Sequence, residues 1–288
     1  MNFRQVRRKI KTISNVKKIT KAMQMVAAVK MRRAQLAALE GKLYRQTLDA
    51  MMREVLSRVD ISLITEIPLL STNSSTKTLC MLVSSNKGLC GGFNMNVIKF
   101  LLNNVDFKNC DFVTIGRKGS EFVRRMGGNI INDFSDPDED TDVVSAVFKV
   151  LEDTYLEGVY GTVQIVYNDF ISSLKYTPTK AQLLPIRSDE ELHIEKKQSE
   201  EVFTDYLIEP EPATILPTLI RDVLHEKIRS ALLDSDAAEQ SARMMAMKQA
   251  TDSASDLIVG LTSLSNKLRQ QSITYELLDI ISAQAGAQ

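Results

Sequence analysis

Tryptophan is absent from this chain, aromatic residues make up only 6%, and its 288 residues contain three cysteines and two histidines. So few aromatics argue against a stacking platform for single-stranded nucleic acid. Cys80, Cys90 and Cys110 are odd in number and lack paired metal-ligand spacing, which predicts free thiols and a reducing compartment rather than a disulfide framework. His193 and His225 are far apart and have no cysteine nearby, so a zinc site or a Cys–His dyad is not expected, and surface histidines are. There is no apolar run of the roughly 18 residues a membrane span requires. The first 62 residues contain no proline and one glycine, Gly41; Thr218 to Ala285 also lacks proline and has only Gly260. No acid precedes Glu40.

Two long helices follow from these gaps. In the C-terminal stretch Ile220, Leu224, Ala231, Ala238, Ala242 and Met245 recur at threes, fours and sevens, and the stripe resumes at Leu257, Leu261, Leu264 and Leu268. Unbroken, such a segment would be on the order of 100 Å long. At the other end Phe3, Val6, Ile10, Ile13, Val16, Ile19, Met23, Val26 and Val29 are spaced by threes and fours, continuing through Leu36, Leu39, Leu43, Met51, Val55 and Val59. That is a second helix of roughly 80–90 Å. Each needs a partner, and the economical solution is that they wind around each other, antiparallel, with Ala22, Ala27, Ala28, Ala237, Ala238 and Ala242 allowing close approach.

Between them the texture changes. Thr78–Ser84, Asp111–Ile115 and Asn129–Asp133 read as strands; helices are expected near Phe93–Asn103, Lys118–Met126 and Asp142–Leu156. Thr162–Asn168 and Lys175–Leu184 read as two further strands, forming an antiparallel edge. Alternation of this kind predicts a mostly parallel, Rossmann-like α/β domain. The fold class is therefore α/β, with a long antiparallel coiled coil of terminal helices. The domain bounds are 1–62 for the first helix, 75–187 for the α/β domain, 188–212 for an acidic connection, and 213–288 for the second helix. Pro217 is placed near that helix's start, where proline is tolerated.

Charge is segregated although Lys plus Arg equals Asp plus Glu, 36 each. Residues 1–39 carry eleven basic side chains, and residues 189–211 carry nine acids against Lys196 and Lys197. Such separation predicts charged partners. An Arg/Lys-rich N-terminus also resembles an organelle transit peptide, but the apolar stripe runs unbroken from residue 3 to residue 59 and favours a helix that stays.

Candidate chemistry is sparse. Ser84–Gly92 joins a strand to a helix, where phosphate loops sit, yet it fits neither nucleotide-loop pattern; a tight turn using Gly88, Gly91 and Gly92 is the plainer reading, with Cys90 a small buried thiol rather than a nucleophile. Gly116–Ser120 is a similar turn with a basic tip. Asp136, Asp138, Glu139, Asp140 and Asp142 lack the glycine and closing glutamate of a calcium loop and read as an acidic cap. No catalytic constellation, cofactor site or metal site emerges. Three classes remain open: a non-catalytic shaft, a nucleotide- or thiol-dependent enzyme with a coiled handle, and a basic nucleic-acid adaptor.

Four motifs narrow that choice. Lys18–Met31 (KITKAMQMVAAVKM), Lys87–Gly92 (KGLCGG), Ala242–Asp252 (ARMMAMKQATD) and Asn266–Thr274 (NKLRQQSIT) resemble, in this order, the gamma subunit of F-type ATP synthase, and the resemblance spans essentially the whole chain. It implies a central rotor shaft, one copy per complex, inside three alpha and three beta subunits. The epsilon subunit and the ring of c subunits would be further partners; no nucleic acid or cofactor is implied, and the only membrane link is through the c ring. Lys18, Lys21 and Met23 would meet the acidic loop of the beta subunits. Arg269, Gln270 and Thr274 would form a polar catch on the catalytic subunits, and Arg243 matches a coupling position. Tyr206 and Glu209, in a Tyr-x-x-Glu-Pro pattern, would belong to the foot on the c ring and epsilon. The implied location is the cytoplasmic face of a bacterial inner membrane. The regulatory cysteine insert of the plastid branch has no counterpart here.

Overall fold

The computed structural model describes residues 2–59, 67–135, 143–186, 209 and 211–285. Elements run in the order α1 (Phe3–Arg58), β1 (Thr78–Val83), α2 (Phe93–Asn104), β2 (Cys110–Ile115), α3 (Arg117–Arg125), β3 (Asn129–Asp133), α4 (Val143–Leu156), β4 (Thr162–Ser172), β5 (Lys175–Leu184) and α5 (Pro212–Ala285). None of the described helices is long and apolar enough to cross a membrane. The chain divides into two compact units: Met1–Val29 with Arg243–Gln288, and Lys30–Ala242.

The larger unit is built on a five-stranded sheet in the order β3-β2-β1-β4-β5. β1 pairs in parallel with β2 and β4, β2 pairs in parallel with β3, and β5 runs antiparallel to β4 as the predicted hairpin edge. β4 extends to Ser172 because its pairing with β5 continues as far as Lys175. Alternation along β1 sorts the core into two layers. Leu79, Met81 and Val83 face a cluster with Val147, Leu151 and Tyr155 of α4 and Leu216, Ile220, Leu224 and Ile228 of α5. Cys80 and Leu82 face the other side, with Val97, Ile98 and Leu101 of α2, Phe112 of β2 and Val123 of α3. Leu48, Met52, Val55 and Val59 join the first cluster, so the end of α1 belongs to the sheet's own core.

Within this unit α1 and α5 run antiparallel. Arg45 reaches Ser230, while Lys30, Arg33, Ala34 and Ala37 line a groove with Leu233, Asp236 and Gln240. The buried seam departs from the expected stripe. Ala34 is buried, but Leu36, Leu39 and Leu43 are exposed, Leu43 by 72%. On α5 the expected Ile220, Leu224, Ala231, Ala238 and Ala242 are all buried, joined by Ala237. Small side chains bring two backbones closer than leucines permit, so the alanines mark the contact.

The smaller unit shows the same inversion. Val6, Ala27, Met247, Thr251, Ala254 and Ser265 are buried, whereas Val16, Ile19, Val26 and Val29 are exposed, as are Met245, Leu257 and Leu264. Thr251 Oγ1 donates to Met247 O at 2.8 Å, leaving it to accept from Thr20 Oγ1, also at 2.8 Å. A second correction concerns Pro217. α5 begins at Pro212, so Pro212 takes the first helical position, and Pro217 stands inside the helix, where it withholds a backbone hydrogen bond.

Candidate functional site

The turn after β1 is closed by its own side chains. Ser85 Oγ donates to Lys87 O (2.9 Å), Asn94 Nδ2 donates to Ser85 Oγ (2.7 Å) and approaches Cys90 Sγ (3.3 Å), and Ser85 N donates to Asn94 Oδ1 (3.1 Å). Leu89 (φ 64) and Gly91 (φ 57) take the left-handed conformation, whereas Gly92 caps α2 with φ −82, and a Cβ on Gly88 would meet nothing within 4 Å. Cys90 is buried beside Phe93, Ala238 and Ala242, with Phe170 and Tyr176 packed around them. The thiol is enclosed rather than presented.

Nor is there an anion cradle at the start of α3. The N–H groups that would hold a phosphate are already committed: Arg117 to Asn86 Oδ1 (3.0 Å), Lys118 to Ser85 O (3.0 Å) and Gly119 to Ser84 Oγ (2.7 Å). β1, flanked by β2 and β4, is where strand order reverses, the usual ligand crevice of an open α/β sheet. Here α5 lies over it through Ala238 and Ala242, and Ser241 Oγ donates to Ser173 O at 2.6 Å. One polar atom remains inside. Asn168 is fully buried; its Nδ2 donates to Phe93 O (3.2 Å), and its Oδ1 meets no donor among the described residues.

Sequence reasoning passed over Ser84, Ser85, Asn94 and Asn168, ordinary polar residues without a motif. It also passed over the opposite end of the sheet, where Tyr160 Oη donates to Asp111 Oδ2 (2.7 Å) and Lys77 Nζ lies 3.2 Å from the same oxygen. Burial pushes the Asp111 carboxyl up, but hydrogen bonds from Tyr160, Asn129 and Lys77 outweigh it and leave the group below the usual carboxylate range. At the far edge Asp133 accepts from Ser120 (2.5 Å), Arg124 (2.8 Å) and Thr114 (3.2 Å).

Of the cations expected at partner contacts, Lys18, Lys21, Arg243 and Arg269 all belong to the smaller unit. Lys18 and Lys21 are exposed, with Lys21 Nζ 3.3 Å from Gln24 Oε1, and Met23 is half-buried between them and Ala27 along α1. Arg243 is half-buried; Arg269, Gln270 and Thr274 are exposed, and Thr274 Oγ1 donates to Gln270 O at 3.0 Å. Lys18, Lys21 and Met23 thus lie within about one and a half turns of α1, and Arg269, Gln270 and Thr274 within about one and a half turns of α5. Glu209 is exposed in the larger unit. Tyr206, His193, the acids from Asp136 to Asp142 and the acidic stretch from Ser188 to Glu201 lie outside the described residues. His225 is half-buried rather than a surface residue: its Nε2 is 3.2 Å from Ser145 Oγ and its ring meets Phe148 edge-on.

A family model described as ATP synthase matches residues 2–286. Among solved structures, a chain of the Euglena gracilis mitochondrial ATP synthase OSCP/F1/c-ring assembly in rotational state 3 superposes with a TM-score of 0.67 at 18% identity, covering 99% of this chain and 94% of that one. A chain of the Tetrahymena thermophila mitochondrial ATP synthase central stalk and c-ring gives 0.56 at 24% identity, over 81% and 99%. A chain of the Euglena gracilis rotor in rotational state 1 gives 0.62 at 16% identity, over 94% and 98%. At these identities the superpositions establish the shared fold.

Proposed function

The chain belongs to the ATP synthase family, as a gamma subunit, and we infer that it is the central rotor shaft of such a complex. The observation that carries the inference is the family match from residue 2 to residue 286, which takes in both long helices and the sheet together. The shaft couples rotation of a c ring to synthesis or hydrolysis of ATP in a ring of alpha and beta subunits. It does no bond-making of its own in this reading. The committed helix N-terminus and the covered crevice support a non-catalytic role.

A shaft acts by differential contact. Three equivalent neighbours around an asymmetric axle each meet a different surface, and the conformation favoured in each changes as the axle turns. The acid-free start of α1, with Lys18, Lys21 and Met23, would meet acidic beta-subunit loops; Arg269, Gln270 and Thr274 would form the polar catch, and Arg243 would serve coupling. The exposure of Lys18, Lys21, Arg269, Gln270 and Thr274 supports the first two roles. Glu209 and Tyr206 would belong to the foot on the c ring and epsilon. Gly88, Cys90, Gly91 and Gly92 would be structural, shaping the turn into α2. In this reading the domains are 1–62 and 213–288 for the coil, 75–187 for the α/β body and 188–212 for the connection to the foot. We place the complex on the cytoplasmic face of a bacterial inner membrane, with proton transport as its driving reaction and one shaft to three alpha, three beta and one epsilon subunit.

The test is co-purification. A tagged chain expressed in its own cells is expected to bring down a hexameric ATPase at one shaft to three pairs. The purified chain alone is expected neither to hydrolyse ATP nor to bind it tightly. Robust turnover by the isolated chain, abolished by Cys90→Ser, would instead make it an enzyme.

A further inference from the structure

A groove of about 380 Å³ lies between α1 and α5 in the larger unit. Its α1 wall is Lys30, Arg33, Ala34 and Ala37, at offsets of three, four and seven residues from the first. Its α5 wall is Leu233, Asp236 and Gln240, at offsets of three and seven. These are the spacings of one helical face, so two facing stripes enclose the space. The alanines create it, because neither carries a side chain long enough to fill it. Ala34 is buried, Ala37 and Leu233 are half-buried, and Lys30 and Arg33 stand exposed at the rim.

The groove is cationic at one end and apolar at the other. The helices run antiparallel, with Arg45 reaching Ser230, so earlier residues of α1 lie beside later ones of α5. Lys30 and Arg33 therefore share one end with Gln240, while Ala37 and Leu233 share the other. Neither Lys30 nor Arg33 has a hydrogen-bond or ion-pair partner among the described residues. The acid of the lining, Asp236, accepts from Gln240 Nε2 at 3.1 Å on its own helix. No acid precedes Glu40 on α1, so its wall supplies no anion to the two cations.

We propose that this groove binds a small amphiphilic acid, its carboxylate held by Lys30 and Arg33 and its apolar body lying against Ala34, Ala37 and Leu233. An arginine offers a carboxylate two parallel donors, and a lysine adds a point charge. The body, placed at the apolar end, removes surface of its own and of the groove from water. The volume belongs to the class of small-molecule sites, which run from about 300 to 1,000 Å³. From Lys30 to Ala37 the helix rises only about 10 Å, too short for a long-chain lipid. The site lies within one unit of this chain, so the inference stands apart from the rotor reading.

The experiment titrates the purified full chain with octanoate by calorimetry and maps hydrogen exchange with and without it. Saturable binding is expected with a Kd below about 1 mM, together with slowed exchange in peptides covering residues 30–37 and 233–240. Lys30→Gln combined with Arg33→Gln should weaken octanoate at least about 5-fold, as two rim charge contacts imply, yet change binding of the uncharged octanol less than about 2-fold. Ala37→Met fills the apolar end and should weaken both; if that variant does not fold, the exchange map of the parent chain locates the site instead. No saturable octanoate binding below about 10 mM, equal binding of octyltrimethylammonium, or protection elsewhere in the chain would overturn the proposal. So would slowed exchange of the same peptides on assembly with partner subunits when octanoate does not bind the chain, which would give the groove to a protein.

Discussion

Glu226 Oε1 lies 3.2 Å from the point where a Cβ on Gly41 would stand. Gly41 is the sole glycine of α1, and Glu226 is a buried acid of α5 held on its own helix by Arg229 at 3.2 Å. A glycine in mid-helix costs about 1 kcal/mol against alanine, and here it leaves room for a buried carboxylate against the helix backbone. Gly41→Ala should therefore change stability by less than about 1 kcal/mol, propensity and crowding opposing each other. Gly41→Leu should cost about 1–3 kcal/mol through overpacking, with Glu226→Ala restoring part of it. Urea denaturation of the full chain measures both.

A tighter approach occurs at Gly116. Its φ is +93 and an added Cβ would fall 2.0 Å from the backbone oxygen of Ser84. Neither the dihedral nor the neighbouring backbone can yield cheaply. Gly116→Ala is expected to cost roughly 3 kcal/mol or more, read as a fall in the denaturation midpoint at unchanged slope.

In the smaller unit, Thr251 is buried and bonded both to Met247 O and to Thr20. Thr251→Val keeps the shape, removes the hydroxyl that accepts from Thr20, and leaves Thr20 with its alternative bond to Lys17 O at 3.1 Å. A loss of about 1 kcal/mol is expected. It should appear as faster hydrogen exchange in peptides covering Thr20, and unchanged exchange there would refute the pairing.

Asp111 gives a pH signature. Burial opposes its ionisation, but Tyr160, Asn129 and Lys77 hold its pKa below the ordinary 3.8. Its contribution is present above the ordinary value and lost as pH falls below it toward the folded one. Asp111→Asn should lower Tm at neutral pH and approach the parent in strong acid. A difference that stays constant down to about pH 2.5 would mean the carboxylate is not stabilised as its hydrogen bonds indicate.

The contact proposed for Met23 is tested by charge. Met23→Lys places a third cation near Lys18 and Lys21 on one stretch of α1. In the proposed complex it should reduce the ratio of ion transport to ATP hydrolysis a few-fold, as ~0.5–1 kcal/mol of new charge interaction implies. An unchanged ratio would remove Met23 from the beta-subunit contact.

The absence of proline from residues 1–62 and from Thr218 to Ala285, with one glycine in each stretch, made α1 and the long remainder of α5 continuous helices, because beyond Pro217 nothing there removes a donor from the backbone hydrogen-bond ladder. The compact apolar run Leu79–Val83 made β1 a strand buried on both faces, since successive strand side chains point to opposite sides and a core lies on each. The sequence could not reveal which helical faces meet. The apolar stripe through Val29, Leu36 and Leu43 is stronger in pattern, yet Ala27 and Ala34 are the buried positions, because the distance between two backbones is decided by both helices together. Likewise Arg45, Ser230 and Asp234 are unremarkable along the chain. Only folding brings residues 185 positions apart into contact, and a carboxyl's affinity for its proton depends on the charges and solvent that the finished fold places around it.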